Sequence, residues 1–227
     1  VTWFLDNFDL VRELFLRHAW ISAVSTAIGF AVSLPIGWYA NEHPRIRGAS
    51  VALVGILYTI PSIAAFVLLP GLLGTGFLSV INVVVALSTY AAAVMVRTTS
   101  DAFGSVSPAV LDAASAAGFS RAQRVFRVEL PLAGPVLLAG LRVVSVSSVS
   151  MLSVATLVGV SNLGSLFTDG FRRDFMTEIT VGILGIVVLA VLFDLLLNLA
   201  GRLLMPWASA ERQPGPVRRR LQSRVAA

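Results

Sequence analysis

Apolar and polar positions in this chain alternate on the scale of whole helices: long charge-free blocks are separated by short stretches where charge, Pro and Gly collect. Residues 19–40 carry no charge and exceed the roughly 20 apolar residues that cross a hydrocarbon core, with Pro35 as an expected kink. Residues 48–96 are again charge-free and divide at PGLLGTG (70–76), which predicts a second span over 50–70 and a third over 77–96. A fourth begins near Leu132 and ends before GVSNLGSLFTDGFRRD (159–174); because 143–168 is also charge-free, a re-entrant or interfacial piece over 153–168 is expected with it. The fifth covers 179–201, interrupted by Asp194. Residues 1–18 follow another rule. Trp3, Phe4, Phe8, Val11 and Phe15 recur at helical spacing with Asp6, Asp9, Arg12, Glu13 and Arg17 between them, which predicts an amphipathic helix on the interface and no signal-peptide cleavage pattern.

One long segment breaks the apolar pattern. Residues 105–135, SVSPAVLDAASAAGFSRAQRVFRVELPLAGP, predict two short helices. Ser107 is placed to cap the first, Pro108 suits its N1 position and Gly118 suits a left-handed stop after Ala117. Ser120 with Gln123 forms a capping box for the second, which runs through Arg121, Arg124 and Arg127 towards Glu129. Pro131 and Pro135 follow, each allowed in a helix's first turn or as a kink. Ala109, Ala113, Ala114, Ala116 and Ala117 leave the first helix nearly bare, so another protein surface can approach its backbone.

Composition agrees with the pattern. With 56% hydrophobic and 13% charged residues, and a mean hydropathy of +0.85, the chain is an integral membrane protein. The absence of Cys removes disulfides, thiolate catalysis and Cys-based metal sites, and no metal site is expected. All basic residues are Arg, and membrane orientation accounts for them better than nucleic acid does. Five spans place the two chain ends on opposite sides. One side holds Arg45, Arg47, Arg97, Arg121, Arg124, Arg127, Arg202 and the Arg of the 207–227 tail; the other holds only Arg12, Arg17, Arg172 and Arg173. The Arg-rich side is therefore expected in the cytoplasm, with the C-terminus, and the N-terminus outside. The tail, rich in Arg, Pro and Gly, is expected to be disordered.

At 112–131 the residues carry a resemblance. Asp112-Ala113-Ala114, three residues, Gly118, nine residues, Val128, one residue, then Leu130-Pro131 resembles the EAA-x3-G-x9-I-x-LP loop of permease subunits in binding-protein-dependent ABC importers, with Asp for Glu and Val for Ile. Residues 17–38, 56–70, 126–142 and 191–206 look like the osmoprotectant branch, whose members import glycine betaine, carnitine, choline or proline. The likeness covers nearly all of the chain to residue 206. LVGVSNLG (157–164) departs from it, because Ser161 and Asn162 stand where such permeases carry glycines.

The resemblance implies an all-α, type I importer permease: a transmembrane domain over 19–206 with a coupling loop at 105–131, in a bacterial inner membrane. It implies that Asp112, Ala113, Ala114, Gly118, Leu130 and Pro131 meet a separate ABC ATPase, present in two copies, which binds the ATP, so that this chain needs no cofactor. It implies a second permease, identical or homologous, and an extracytoplasmic substrate-binding protein. A permease for another small solute, such as methionine, is the alternative within the family.

Other residues carry weaker signals. Arg142 and Asp194 interrupt two spans, and each needs a partner, water or an interface. They are expected either to pair with each other or to be satisfied near the cytoplasmic end. Pro61 breaks span two, where freed backbone either lines a pathway or packs as a kink. Tyr58 and Tyr90, with Trp38, either contact a quaternary ammonium or serve packing. An intramembrane hydrolase built on Gly159-Val160-Ser161 has only His18 and His43 as bases, both distant in sequence from Ser161. No phosphate-binding G-x-x-x-x-G-K-[ST] loop is present, so the chain is not itself the ATPase. A secondary transporter would show an internal repeat and more spans.

Overall fold

The computed structural model describes residues 2–210, all of whose regular elements are helical. Helix α1 (Thr2–Asp6) ends at Asn7, whose side-chain amide donates to the Trp3 carbonyl at 2.8 Å, and α2 (Phe8–Glu42) follows at once. Here the structure departs from the expected 1–18 interfacial helix. No Gly or Pro lies between Phe8 and Ala27 to stop a helix, so residues 8–18 are continuous with the first span. The apolar stripe of this segment also faces protein: Val11 and Leu14 are buried with Val149, Leu163, Leu166 and Leu189, and Trp3, Phe4 and Phe15 pack on the same cluster. Pro35 sits inside α2 without ending it.

Helix α2 packs on α5 (Val80–Gly104) through small residues at every fourth position: Ser25, Gly29, Ser33 and Gly37, all buried. A Cβ added at Gly29 would lie 2.4 Å from Ala91 Cβ and 2.9 Å from the Ser88 carbonyl oxygen, and one at Gly37 would lie 2.5 Å from Thr99 Cβ. Two backbones therefore touch where hydrocarbon supplies no hydrophobic drive between helices and close van der Waals contact must hold them.

Between them the second span is broken. Helix α3 (Pro44–Thr59) and helix α4 (Ser62–Leu73) meet at Ile60–Pro61 with a 99° bend, so the described residues hold four helices long and apolar enough to cross a membrane, or five if this pair counts as one span. Pro61, at φ −58° and ψ 133°, cannot donate to the preceding turn, and Ile60 is extended as residues before proline tend to be. The Tyr90 hydroxyl on α5 donates to the Ile60 carbonyl at 2.5 Å and occupies one freed acceptor. Helix α5 starts at Ser79, whose hydroxyl accepts from the Ile81 amide.

After α6 (Pro108–Ala116) and α7 (Arg121–Arg124), a π-helical turn (Val125–Glu129) leads without interruption into α8 (Leu130–Leu152), with Pro131 in the first turn. A 3-10 turn (Ser153–Val158) extends α8 and stops at Gly159, which is left-handed at φ 82°. The departing loop then closes on itself: fully buried Asn162 donates to the Val160 carbonyl at 2.8 Å and accepts from the Gly164 amide at 2.7 Å. So the 153–168 piece is a 3-10 turn, a buried loop and the start of short α9 (Ser165–Arg172). Helix α10 (Met176–Leu204) is the last span, and Ile183, Leu184, Val187, Val188, Val191 and Leu195 stand on its exposed surface, as suits lipid. Helix α11 (Pro206–Ala210) closes the described residues; the tail beyond it, 211–227, lies outside them.

Candidate functional site

The polar segment forms the two expected helices, and its local chemistry explains the turn between them. Pro108 occupies N1 of α6, although Ser107 reaches the cap position without making a side-chain cap bond. Gly118 adopts φ 83°. Its amide donates to Ser115 O at 3.0 Å and the Phe119 amide donates to Ala114 O at 3.1 Å, the paired bonds of a Schellman stop that needs a left-handed residue. At Ser120 both halves of the capping box are present: its hydroxyl accepts from the Gln123 amide at 3.3 Å and its amide donates to Gln123 Oε1 at 2.9 Å. The corner is thus fixed from within and needs no neighbour.

Helix α6 buries no residue. Asp112, Ala113 and Gly118 are exposed and Ala114 is half-buried. Leu111, on the inward side, packs on the cluster of Ala102, Phe103, Val106, Ala133 and Leu137. A short helix is therefore anchored on one edge while Asp112 and Ala113 lie open. Leu130 and Pro131 are half-buried at the head of α8, so the motif's two ends differ: one is presented and one is packed.

Charges gather at the same end of the bundle. Arg121 pairs with Glu42 at the end of α2, and its guanidinium lies 5.3 Å from the centroid of the Trp38 ring. Arg124 Nε donates to Glu129 Oε1 at 2.8 Å. Arg47 on α3 pairs with Asp101 on α5 at 2.5 Å, with both side chains about half exposed. Sequence reasoning named none of these pairings. Arg121 and Glu42 are far apart in the chain, and Arg124 and Glu129 are five residues apart, a spacing that shares a face only because the intervening turn is π.

The structure brings Arg142 and Asp194 together. Arg142 Nε and Nη2 donate to the two Asp194 carboxylate oxygens at 2.6 and 2.8 Å, a bidentate pair joining α8 to α10. Two planar groups held by parallel bonds fix orientation as well as distance. Pro61 and Tyr90 also come together, on a cavity of about 470 Å³ to which Thr59, Ser62, Ser147 and Ser150 add hydroxyl groups. Tyr58 stands in α3, and its side chain lies outside the described residues. Trp38 lies elsewhere, beneath Arg121. His18 is fully buried with Nε2 2.9 Å from the Val149 carbonyl oxygen, and His43 stacks on Tyr39 at the other end of α2.

Residues 14–210 match the family described as the inner membrane component of binding-protein-dependent transport systems. The chain belongs to this family. Its similarity to the osmoprotectant import permease protein OsmW of Salmonella typhimurium is 29% identity, covering 87% of this chain and 93% of that one. It is 30% identical to the choline transport system permease protein OpuBD of Bacillus subtilis, over 91% of this chain and 90% of that one. In fold it is similar to the permease in inward-facing structures of the MetNI methionine ABC transporter, with a TM-score of 0.71 and 22% identity over 88% of this chain and 96% of that one. The motif spacing and the family match thus agree on an ABC importer permease, the fold is the all-helical type I one, and the sequence relatives fall in the osmoprotectant branch that residues 17–38, 56–70, 126–142 and 191–206 resemble.

Proposed function

We propose that this chain is the permease subunit of an ATP-driven importer of compatible solutes of the glycine betaine, carnitine, choline or proline class. In this reading two ATPase subunits bind and hydrolyse the ATP, a second permease completes the pathway and an extracytoplasmic binding protein delivers the solute. The observation that carries it is the 105–131 segment, where a helix with no buried residue and an open Asp112–Ala113 edge is held by a turn that its own caps make rigid. Such an element suits a groove on another protein. The charge distribution supports an orientation with this segment and the C-terminus in the cytoplasm, because Arg47, Arg97, Arg121 and Arg124 all stand at that end of the bundle.

ATP-driven closure of the ATPase pair moves α6, and α6 moves the spans. The pathway runs beside the broken second span, where Pro61, Tyr90, Ser147 and Ser150 offer hydroxyls and freed backbone without a charge that would retain a zwitterion. The osmolyte class is supported by relatives at 26–30% identity named for osmoprotectant, carnitine and choline transport. The likeness to a methionine transporter, at 22% identity, concerns the fold alone. Uptake of radiolabelled glycine betaine, carnitine, choline, proline and methionine by a strain lacking its own importers, supplied with this permease and its partners, tests the class. Saturable uptake of one or more of the first four is expected; uptake of methionine alone would overturn the assignment.

A further inference from the structure

Helix α6 has little of its own to grip the bundle: Leu111 packs inward, and Ser115 meets Arg124, a side chain that also holds Glu129. Its Nε donates to Glu129 Oε1 at 2.8 Å, and its Nη1 lies 3.4 Å from the Ser115 hydroxyl on α6. That hydroxyl donates to the Leu111 carbonyl at 2.8 Å and so is left with lone pairs for Arg124. Glu129 immediately precedes α8 and is 5% exposed, whereas Asp101, which takes Arg47 and Arg97 nearby, has a side chain 49% exposed. A buried carboxylate is costly to leave unpaired, so this contact persists where an exposed pair would exchange with water.

The pairing depends on a local irregularity. Between Val125 and Glu129 the chain is π-helical, and the Leu130 amide reaches back five residues to the Val125 carbonyl. In a regular α-helix side chains three or four apart share a face, and five apart they do not. The inserted residue re-aims Glu129 beneath Arg124 while the helix continues into α8. π turns inside α-helices frequently occur at functional sites.

We infer that Arg124 is the positioning residue that passes displacement of α6 to α8, through Ser115 on one side and Glu129 on the other. Arg121, at the start of α7, pairs with Glu42 and covers Trp38, so α7, which Arg124 joins to α6 through Ser115, is also tied to the end of α2. The inference rests on the coupling role proposed above and adds the route by which motion leaves the docking helix. Glu129 loses its partner when Arg124 is removed, but α7 keeps its capping box, so ATPase docking and motion of the spans become separable.

The test uses the complete transporter with its ATPase in nanodiscs. Because the chain has no cysteine, Ser147→Cys places its one thiol in the cavity beside Tyr90. Maleimide labelling of that thiol is compared before and after trapping with ATP and vanadate. In the otherwise unchanged protein the labelling rate shifts on trapping; absence of a shift there would contradict the coupling role itself. In Arg124→Ala and Glu129→Gln, the ATPase still copurifies and still traps nucleotide, but the shift shrinks by about 2- to 30-fold, the range in which substitutions along a coupling network act. The charge-exchanged pair Arg124→Glu with Glu129→Arg restores part of it. Ser115→Ala, a substitution on an exposed face, shrinks it less while leaving the fold intact. Shifts equal to the unsubstituted protein in both single variants would overturn the inference, and so would loss of the ATPase from the complex, which would make the pair part of docking.

Discussion

Two regions of this permease are built on opposite rules. Where α2 crosses α5, Ser25, Gly29, Ser33 and Gly37 let two backbones meet, and no space remains between them. In the coupling segment, α6 and α7 are shaped by their own caps and charges, and α6 leaves its outer face unpaired. Added bulk separates the two. A Cβ at Gly29 collides with Ala91 and with backbone atoms of Ser88 and Ala92, whereas a Cβ at Gly118 meets nothing within 4 Å. The first region fixes a distance, and the second holds a shape ready for a partner.

Substitution at the seam is the largest way to break the contrast. Gly29→Val is expected to destabilise the protein by about 3 kcal/mol or more, because the opposing atoms are largely backbone and cannot shift aside; thermal unfolding of the purified permease in detergent reads this out, and an unchanged transition would mean the helices lie further apart. Gly118→Ala should cost only the strain of a left-handed residue, about 1–2 kcal/mol. Gly118→Asp adds a charge on the docking side and is expected to abolish transport while capture by the binding protein continues; normal uptake would remove the coupling claim. Neutralising Arg142 or Asp194 singly lowers the unfolding temperature, and exchanging the two charges restores part of it; additive damage in the double variant would mean that the residues act separately. Smaller still is the effect of Ser120→Ala, about 1 kcal/mol from the lost capping box. Ser107→Ala should change nothing measurable, because that side chain makes no cap bond.

The coupling segment's caps were legible because capping is local: Pro108, Gly118, Ser120 and Gln123 decide their conformation within three or four residues. The Arg142–Asp194 pair was legible as a need for partners, since charges in apolar spans require them, and the fold supplied the bidentate geometry. Three features were hidden for identifiable reasons. The continuity of α2 was masked by an amphipathic stripe that reads the same whether it faces lipid headgroups or Leu163 and Leu189. The 99° break at Pro61 exceeds what a proline kink predicts, and it depends on neighbours such as Tyr90 that take up the freed carbonyl. The Arg124–Glu129 pair follows from a π turn, which shifts the helical register by one residue and has no sequence signature of its own.

The central claim, that α6 is the face presented to an ATPase, is tested most directly by a single introduced thiol. The chain has no cysteine, so Asp112→Cys on α6 and Leu72→Cys, 79% exposed on α4 and away from the coupling segment, each give one reactive position. With a short bifunctional thiol-to-amine reagent and the assembled transporter, a crosslinked permease–ATPase band is expected from position 112 and none from position 72. A band from position 72, or from neither while the complex remains assembled, would contradict it.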